Sequence, residues 1–92
     1  MSAIEQLRSA IRQERYRISG HANEELTEDD LTADDVESIV LGGAVTRRFT
    51  RDPRGTRYEV TGRAADGRLA SVVCRFLPSG VLLIITGYAE EE

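Results

Sequence analysis

Lysine and tryptophan are absent from this sequence, cysteine and histidine occur once each, and only three Tyr and two Phe supply aromatic rings. The lone cysteine, Cys74, excludes an internal disulfide framework and any four-cysteine zinc site. It stands in an apolar run, where a thiol usually serves as a small, inert hydrophobe. The lone histidine, His21, has no cysteine or second histidine to share a metal with, so no metal and no cofactor is expected. Glu28-Asp29-Asp30 and Asp34-Asp35 lack the glycine and the distal glutamate of a calcium loop and read as helix-start acids. No phosphate-binding loop, dinucleotide glycine fingerprint or GxSxG elbow occurs. The apolar run at residues 81–85 is far shorter than the ~20 residues a membrane span needs. Residues 1–5 show no charged-then-apolar secretory pattern. A cytoplasmic protein without a membrane partner is the expectation.

What is present is enough for one domain, residues 1–92, with a thin core; a chain this short buries roughly 60–65% of its unfolded surface. The net charge is −4, but it is unevenly spread. Residues 1–46 hold four Arg against ten acids, residues 47–75 eight Arg against three, and residues 76–92 only Glu90, Glu91 and Glu92. Every strong base is arginine, whose planar fork recognises carboxylate or phosphate with two parallel hydrogen bonds. A compositional bias explains missing lysine as well as function does, but it does not explain why the arginines gather in one segment.

Ile4, Leu7, Ala10 and Ile11 recur at helical spacing, which predicts an amphipathic helix over residues 2–14 opened by Ser2 with Glu5 three residues on. Residues 16–19 alternate as a short strand, and residues 21–28 read as a short helix. Thr32, followed by acids and by the stripe Val36, Ile39 and Val40, starts a third helix that Gly42-Gly43 ends. Strands are expected at residues 44–50, 56–63, 69–77 and 81–88, separated by turns at 52–55, 66–67 and 78–80. The fold class is therefore α+β, with helices packed on one face of a four-stranded antiparallel meander and a short extra strand near residues 15–19.

A two-residue Ser79-Gly80 turn would pair Leu77 with Leu82 and Arg75 with Ile84. Val72, Cys74, Phe76, Val81, Leu83 and Ile85 would then form the apolar side facing the helices. At the Asp66-Gly67 hairpin a two-residue loop would turn Arg57, Glu59 and Arg63 into the core. A three-residue loop with a glycine bulge reverses that, and the cost of burying charge decides for the bulge. The outward face then carries Arg48, Arg57, Arg63, Arg75, Thr86 and Tyr88 together.

Arg15-Tyr16-Arg17-Ile18-Ser19-Gly20-His21-Ala22 resembles the strand, Ser-x-His-Ala, helix opening of the DUF4258 family. Leu31-Thr32-x-x-Asp35-Val36 looks like that family's next helix, and Arg57-Tyr58-x-x-x-Gly62-Arg63-x-x-Asp66-Gly67-Arg68 like its central hairpin. Residues 81–88, with Ile85-Thr86, are similar to its last strand. The likeness covers residues 4–88 in order. That family in turn resembles the RelE-like toxin superfamily, including the motility/quorum-sensing-regulator and BrnT types. The resemblance implies helices on an antiparallel sheet, mRNA cleavage by basic and aromatic or His side chains, and a neutralising antitoxin partner. Two features depart from that pattern: the acidic end at Glu90 to Glu92, and the lack of lysine.

The resemblance makes His21, Arg57, Arg75 and Tyr88 the candidate catalytic residues and Arg47, Arg48 and Arg63 the candidate RNA contacts. Arg57 and Arg75 would hold a scissile phosphate, but a guanidinium stays protonated and cannot be the general base. His21 or Tyr88 would move protons. Each has a plainer role open to it: His21 as a helix-start side chain, the arginines as partners of Glu59 or as a solvated face, Tyr88 as a ring closing the sheet. Two functions follow. One is a toxin-type endoribonuclease, or an inactive relative of one, with RNA and an antitoxin as partners. The other is a non-enzymatic module that binds a protein partner, or itself as a homodimer, through the sheet.

Overall fold

Residues 1–91 are described by a computed structural model of the chain. Three helices, α1 (Ala3–Arg12), α2 (Gly20–Glu28) and α3 (Ala33–Gly42), cover one face of a sheet. The strands are β1 (Tyr16–Ile18), β2 (Ala44–Phe49), β3 (Arg57–Arg63), β4 (Leu69–Phe76) and β5 (Leu82–Ala89), in spatial order β1-β5-β4-β3-β2. No helix among the described residues is long and apolar enough to cross a membrane.

Each helix starts where its capping residue directs. Ser2 and Glu5 form a reciprocal box at α1, the Ser2 side chain accepting from Glu5 N–H at 3.3 Å. Ser19 Oγ accepts from Ala22 N–H at 3.0 Å and opens α2. At α3 the box is Thr32 with Asp35, and Asp35 does more than cap. Its Oδ2 accepts from Thr32 N–H at 2.7 Å, while Oδ1 accepts from Ala65 N–H at 2.9 Å in the β3–β4 hairpin. One buried carboxylate thus ties a helix start to a hairpin. The Thr32 backbone bond, joined by that from Ala65, holds the Asp35 carboxyl below its ordinary range. Asp35→Ala is expected to cost about 1–2 kcal/mol at neutral pH. The depressed value means that the carboxylate stabilises above the unfolded pKa of about 4 and stops doing so as pH falls through the folded one. Urea midpoints of wild type and variant should therefore converge on acidification; a gap that stays constant with pH would contradict this role.

The sheet is five-stranded and mixed, not a four-stranded antiparallel meander with a separate short strand. β2, β3, β4 and β5 do form the antiparallel meander, but β1 joins it parallel to β5, pairing Tyr16 with Leu82 and Ile18 with Ile84. The segment leaving α1 caps half of the β5 edge, and its Tyr16 and Ile18 pack against the core. Pairing that edge satisfies backbone groups that would otherwise stand open beside buried side chains.

The β3–β4 loop is the bulged one. Ala64 N–H donates to Arg68 O at 2.8 Å, Gly67 N–H donates to Ala64 O at 2.9 Å, and Gly67 takes φ +91. Val60 pairs with Val72 and Tyr58 with Cys74 on the helix side, leaving Arg57, Glu59, Thr61 and Arg63 outward. The β4–β5 loop has the same form and differs from the expected two-residue turn. Leu77 N–H donates to Val81 O, Gly80 N–H donates to Leu77 O, and Gly80 has φ +88. The extra loop residue shifts β5 by one, so Phe76 faces Leu82 and Cys74 faces Ile84. Leu82 and Ile84, not Leu83 and Ile85, are the buried pair. A bulge then restores the register at Val73 and Thr86.

Leu7, Leu26, Val36, Ile39, Val40, Val60, Val72 and Cys74 fill the space between helices and sheet. Burial pushes the Cys74 thiol up to about 12, the state of an unreactive core side chain. α3 comes close enough to β3 that Gly43 and Gly62 meet backbone to backbone.

Candidate functional site

The sheet face away from the helices is built by alternation. β3 contributes Arg57, Glu59, Thr61 and Arg63, β4 contributes Ser71, Val73 and Arg75, and β5 contributes Tyr88 opposite Ser71. β2 has a bulge between Val45 and Arg47, which sets Arg47 opposite Glu59 and Phe49 opposite Arg57. That bulge corrects the place of Arg48. It lies opposite Tyr58, on the helix side at the sheet margin, with its guanidinium 5.7 Å from the Tyr58 ring centre.

This face divides into two ends of opposite character. At the first, the register places Arg57 directly beside Arg75. Like charges so paired repel, and Asp52, from the β2–β3 loop, offsets them. Its Oδ2 lies 3.3 Å from Arg57 Nε and 3.9 Å from Arg75 Nη1, while Oδ1 lies 3.3 Å from Arg54 Nε. Arg54 N–H donates to the same Oδ1 at 2.9 Å, an Asx turn that fixes the loop. That backbone bond first, then the Arg54 side chain and the Arg54 and Arg57 charges, hold the Asp52 carboxyl below its usual range. The Asp52 side chain is only 6% exposed and that of Arg75 12%, because the loop lies across them. Arg57 Nε is buried yet makes no hydrogen bond, although Asp52 stands within ion-pair distance. Arg47 and Arg57 lie over the Phe49 ring, 5.1 and 4.9 Å from its centre.

The second end is a hydroxyl and carboxylate network. Thr46 Oγ1, Thr61 Oγ1 and Ser71 Oγ are linked in a row at 3.1 and 2.7 Å, and Ser71 Oγ donates to Glu90 Oε1 at 2.8 Å. Tyr88 Oη donates to Glu59 Oε2 at 3.1 Å. Burial first, then the Glu59 charge and hydrogen bond, push the Tyr88 phenol above its ordinary pKa, so it stays protonated.

The residues singled out by sequence are thus partly gathered. Arg57 and Arg75 adjoin, with Arg47 close by through Phe49. Tyr88 is opposite Ser71, four residues along β4 from Arg75, or about 13 Å. Arg63 stands at the far end of β3, with Nη1 donating to Gly67 O at 3.3 Å. His21 is in the first turn of α2, 71% exposed, its Nε2 3.0 Å from Glu25 Oε1. Glu25 also accepts from Thr86 Oγ1 at the β5 rim. Asp52 and Phe49 were not among the expected site residues. The Asp-Pro-Arg-Gly signal reads as a turn, and nothing in it says that the aspartate folds back onto two strands.

The architecture is that of a small α+β domain with one open sheet face carrying arginine at one end. The chain belongs to the family described as Domain of unknown function (DUF4258), which matches residues 18–88. No curated protein and no solved structure is matched by the chain.

Proposed function

We propose that this domain binds single-stranded RNA through the arginine end of the open sheet face, as a non-cleaving relative of the RelE-like toxins. The observation that carries it is the cluster in which Arg54, Arg57 and Arg75 share the single carboxylate of Asp52. Guanidinium charge in excess of that carboxylate, held on rigid strands, suits phosphate recognition. Two features argue for binding without cleavage. Tyr88 is tied to Glu59 and His21 to Glu25, each apart from the Arg57–Arg75 pair. Glu59, two residues along β3 from Arg57, and Glu90 beyond it would repel a phosphodiester chain past the Arg57–Arg75 pair, which confines contact to the arginine end.

A short 3′-fluorescein RNA should show saturable anisotropy that weakens at least tenfold between about 50 and 200 mM salt. Arg57→Ala combined with Arg75→Ala should abolish it, and the RNA should be recovered intact. Absence of binding at low salt would remove the proposal. Cleavage that Tyr88→Phe abolishes would instead make the domain a toxin-type endoribonuclease. A second reading has one observation behind it. The outer edge of β2, with Arg47 and Arg48 exposed, has no neighbouring strand among the described residues. An acidic extended segment of a protein partner, such as an antitoxin, could add there as a further strand.

A further inference from the structure

We infer that the arginine end of the sheet is a receptor for a phosphomonoester, the phosphorylated end of a nucleic-acid chain, and not for internal phosphodiesters. This deepens the RNA-binding proposal and rests on it. The β2–β3 loop and the strand ends enclose an open hollow of about 530 Å³, lined by Arg48, Arg51, Arg54 and Arg57 with Phe49 and Asp52. Three guanidiniums meet the Asp52 carboxylate, Arg54 and Arg57 in the lining of the hollow and Arg75 beneath the loop, an excess of two positive charges. A monoester carries about −1.5 to −2 charge at neutral pH and offers three terminal oxygens. An internal diester offers one charge and two. The dianion is therefore the better match in both charge and acceptor count. Arg57 Nε, buried and 3.3 Å from Asp52 Oδ2 without a formed hydrogen bond, is a charged donor that a better-aligned acceptor would satisfy.

Two further details define how the ligand is read. The Phe49 ring already lies under the Arg47 and Arg57 guanidiniums, so it is not a free platform for a base. Recognition then depends on the phosphate and little on base identity. Asp52 stands where an anion belongs, bonded to both the loop and the strands. It keeps Arg57 and Arg75 side by side when the receptor is empty, and it competes with the incoming phosphate. Gly55 in the same loop lies against Arg75, a Cβ there coming within 3.8 Å of Arg75 Cδ. The loop thus closes over Arg75, leaving Arg51, Arg54 and Arg57 to meet the phosphate first.

The test compares one 3′-fluorescein RNA sequence bearing either a 5′-phosphate or a 5′-hydroxyl, and the 5′-labelled RNA bearing a 3′-phosphate. One phosphorylated end should bind at least about tenfold more tightly than the hydroxyl-ended RNA. The preference should shrink as pH drops through about 6, where a monoester loses its second charge. Inorganic phosphate should displace the RNA more effectively than chloride at equal ionic strength. Arg54→Ala, a change at an exposed side chain, should reduce the preference without unfolding the domain, and Asp52→Asn should increase it. Equal affinity for phosphorylated and hydroxyl ends would overturn the inference while leaving RNA binding intact. No binding by any of the RNAs would remove both.

Discussion

Gly43→Ala is expected to destabilise the domain by about 3 kcal/mol, more than any other small substitution outside the hydrophobic core. A Cβ at this position would overlap Ile39 O of α3 and Thr61 O of β3 and approach Thr61 C to 2.9 Å. All three are backbone atoms, so no side chain can turn aside. Relief requires lifting the end of α3 from the sheet, and with it Ile39 and Val40, both wholly buried. Backbone strain plays no part, since Gly43 has an ordinary extended conformation. The neighbouring Gly42→Ala is the control, because a Cβ there meets nothing within 4 Å. It should be neutral or slightly stabilising. Thermal unfolding followed by circular dichroism should place Gly43→Ala about 10–20 °C below wild type. Equal melting of the two variants would mean that α3 does not approach β3 so closely. Gly62→Ala should behave like Gly43→Ala, as its Cβ would lie 2.7 Å from Ile39 O and 2.9 Å from Gly43 Cα.

Ile84→Ala and Ile85→Ala, adjacent and chemically identical changes, should differ by several-fold in cost. Ile84 is fully buried in the core between sheet and helices, and truncating it removes about 2–5 kcal/mol. Ile85 occupies the bulge where β5 slips past Val73 and Cys74 and is only partly buried, so its truncation should cost less than about 1.5 kcal/mol. Urea unfolding of the two variants reads the register of β5 directly. The reverse order would mean that β5 presents Leu83 and Ile85 to the helices.

That contrast shows where sequence reasoning stopped. Two hairpins in this chain close with the same three-residue glycine-bulge loop, one at Gly67 and one at Gly80. At the first, the charges of Arg57, Glu59 and Arg63 made the wrong parity expensive, so burial cost identified the loop. At the second, β5 offers Leu82-Leu83-Ile84-Ile85, apolar on both faces. Either parity puts two large hydrophobes inward, and only the packing of the assembled core distinguishes them. Arg48 failed for a related reason. A bulge at Thr46 turned the chain, and the polar residues of Val45-Thr46-Arg47-Arg48 give no penalty that would reveal it.

The candidate site was legible only in part. Arg57 and Arg75 were placed together on the open face by hairpin register, which alternation and one turn type determine. Their control by Asp52 was hidden, because a loop residue acts here across two strands without any periodic signature. The separation of His21 and Tyr88 from the arginines was equally hidden. Nothing local says which rim of the sheet α2 covers, or that Glu25 and Glu59 take those side chains as partners.

Sequence alone determined the three helices, the caps Ser2 and Thr32, the four-strand meander and the concentration of arginine in its first three strands. These follow from short-range physics: hydrophobic period, cap hydrogen bonds and turn chemistry. The parallel pairing of β1 with β5, the inward side of β5, the contact of Gly43 with Gly62 and the folding of Asp52 onto Arg57 and Arg75 were decided by tertiary structure. Each depends on groups far apart in the chain competing for the same space or charge, and such competition is settled only when the whole core closes.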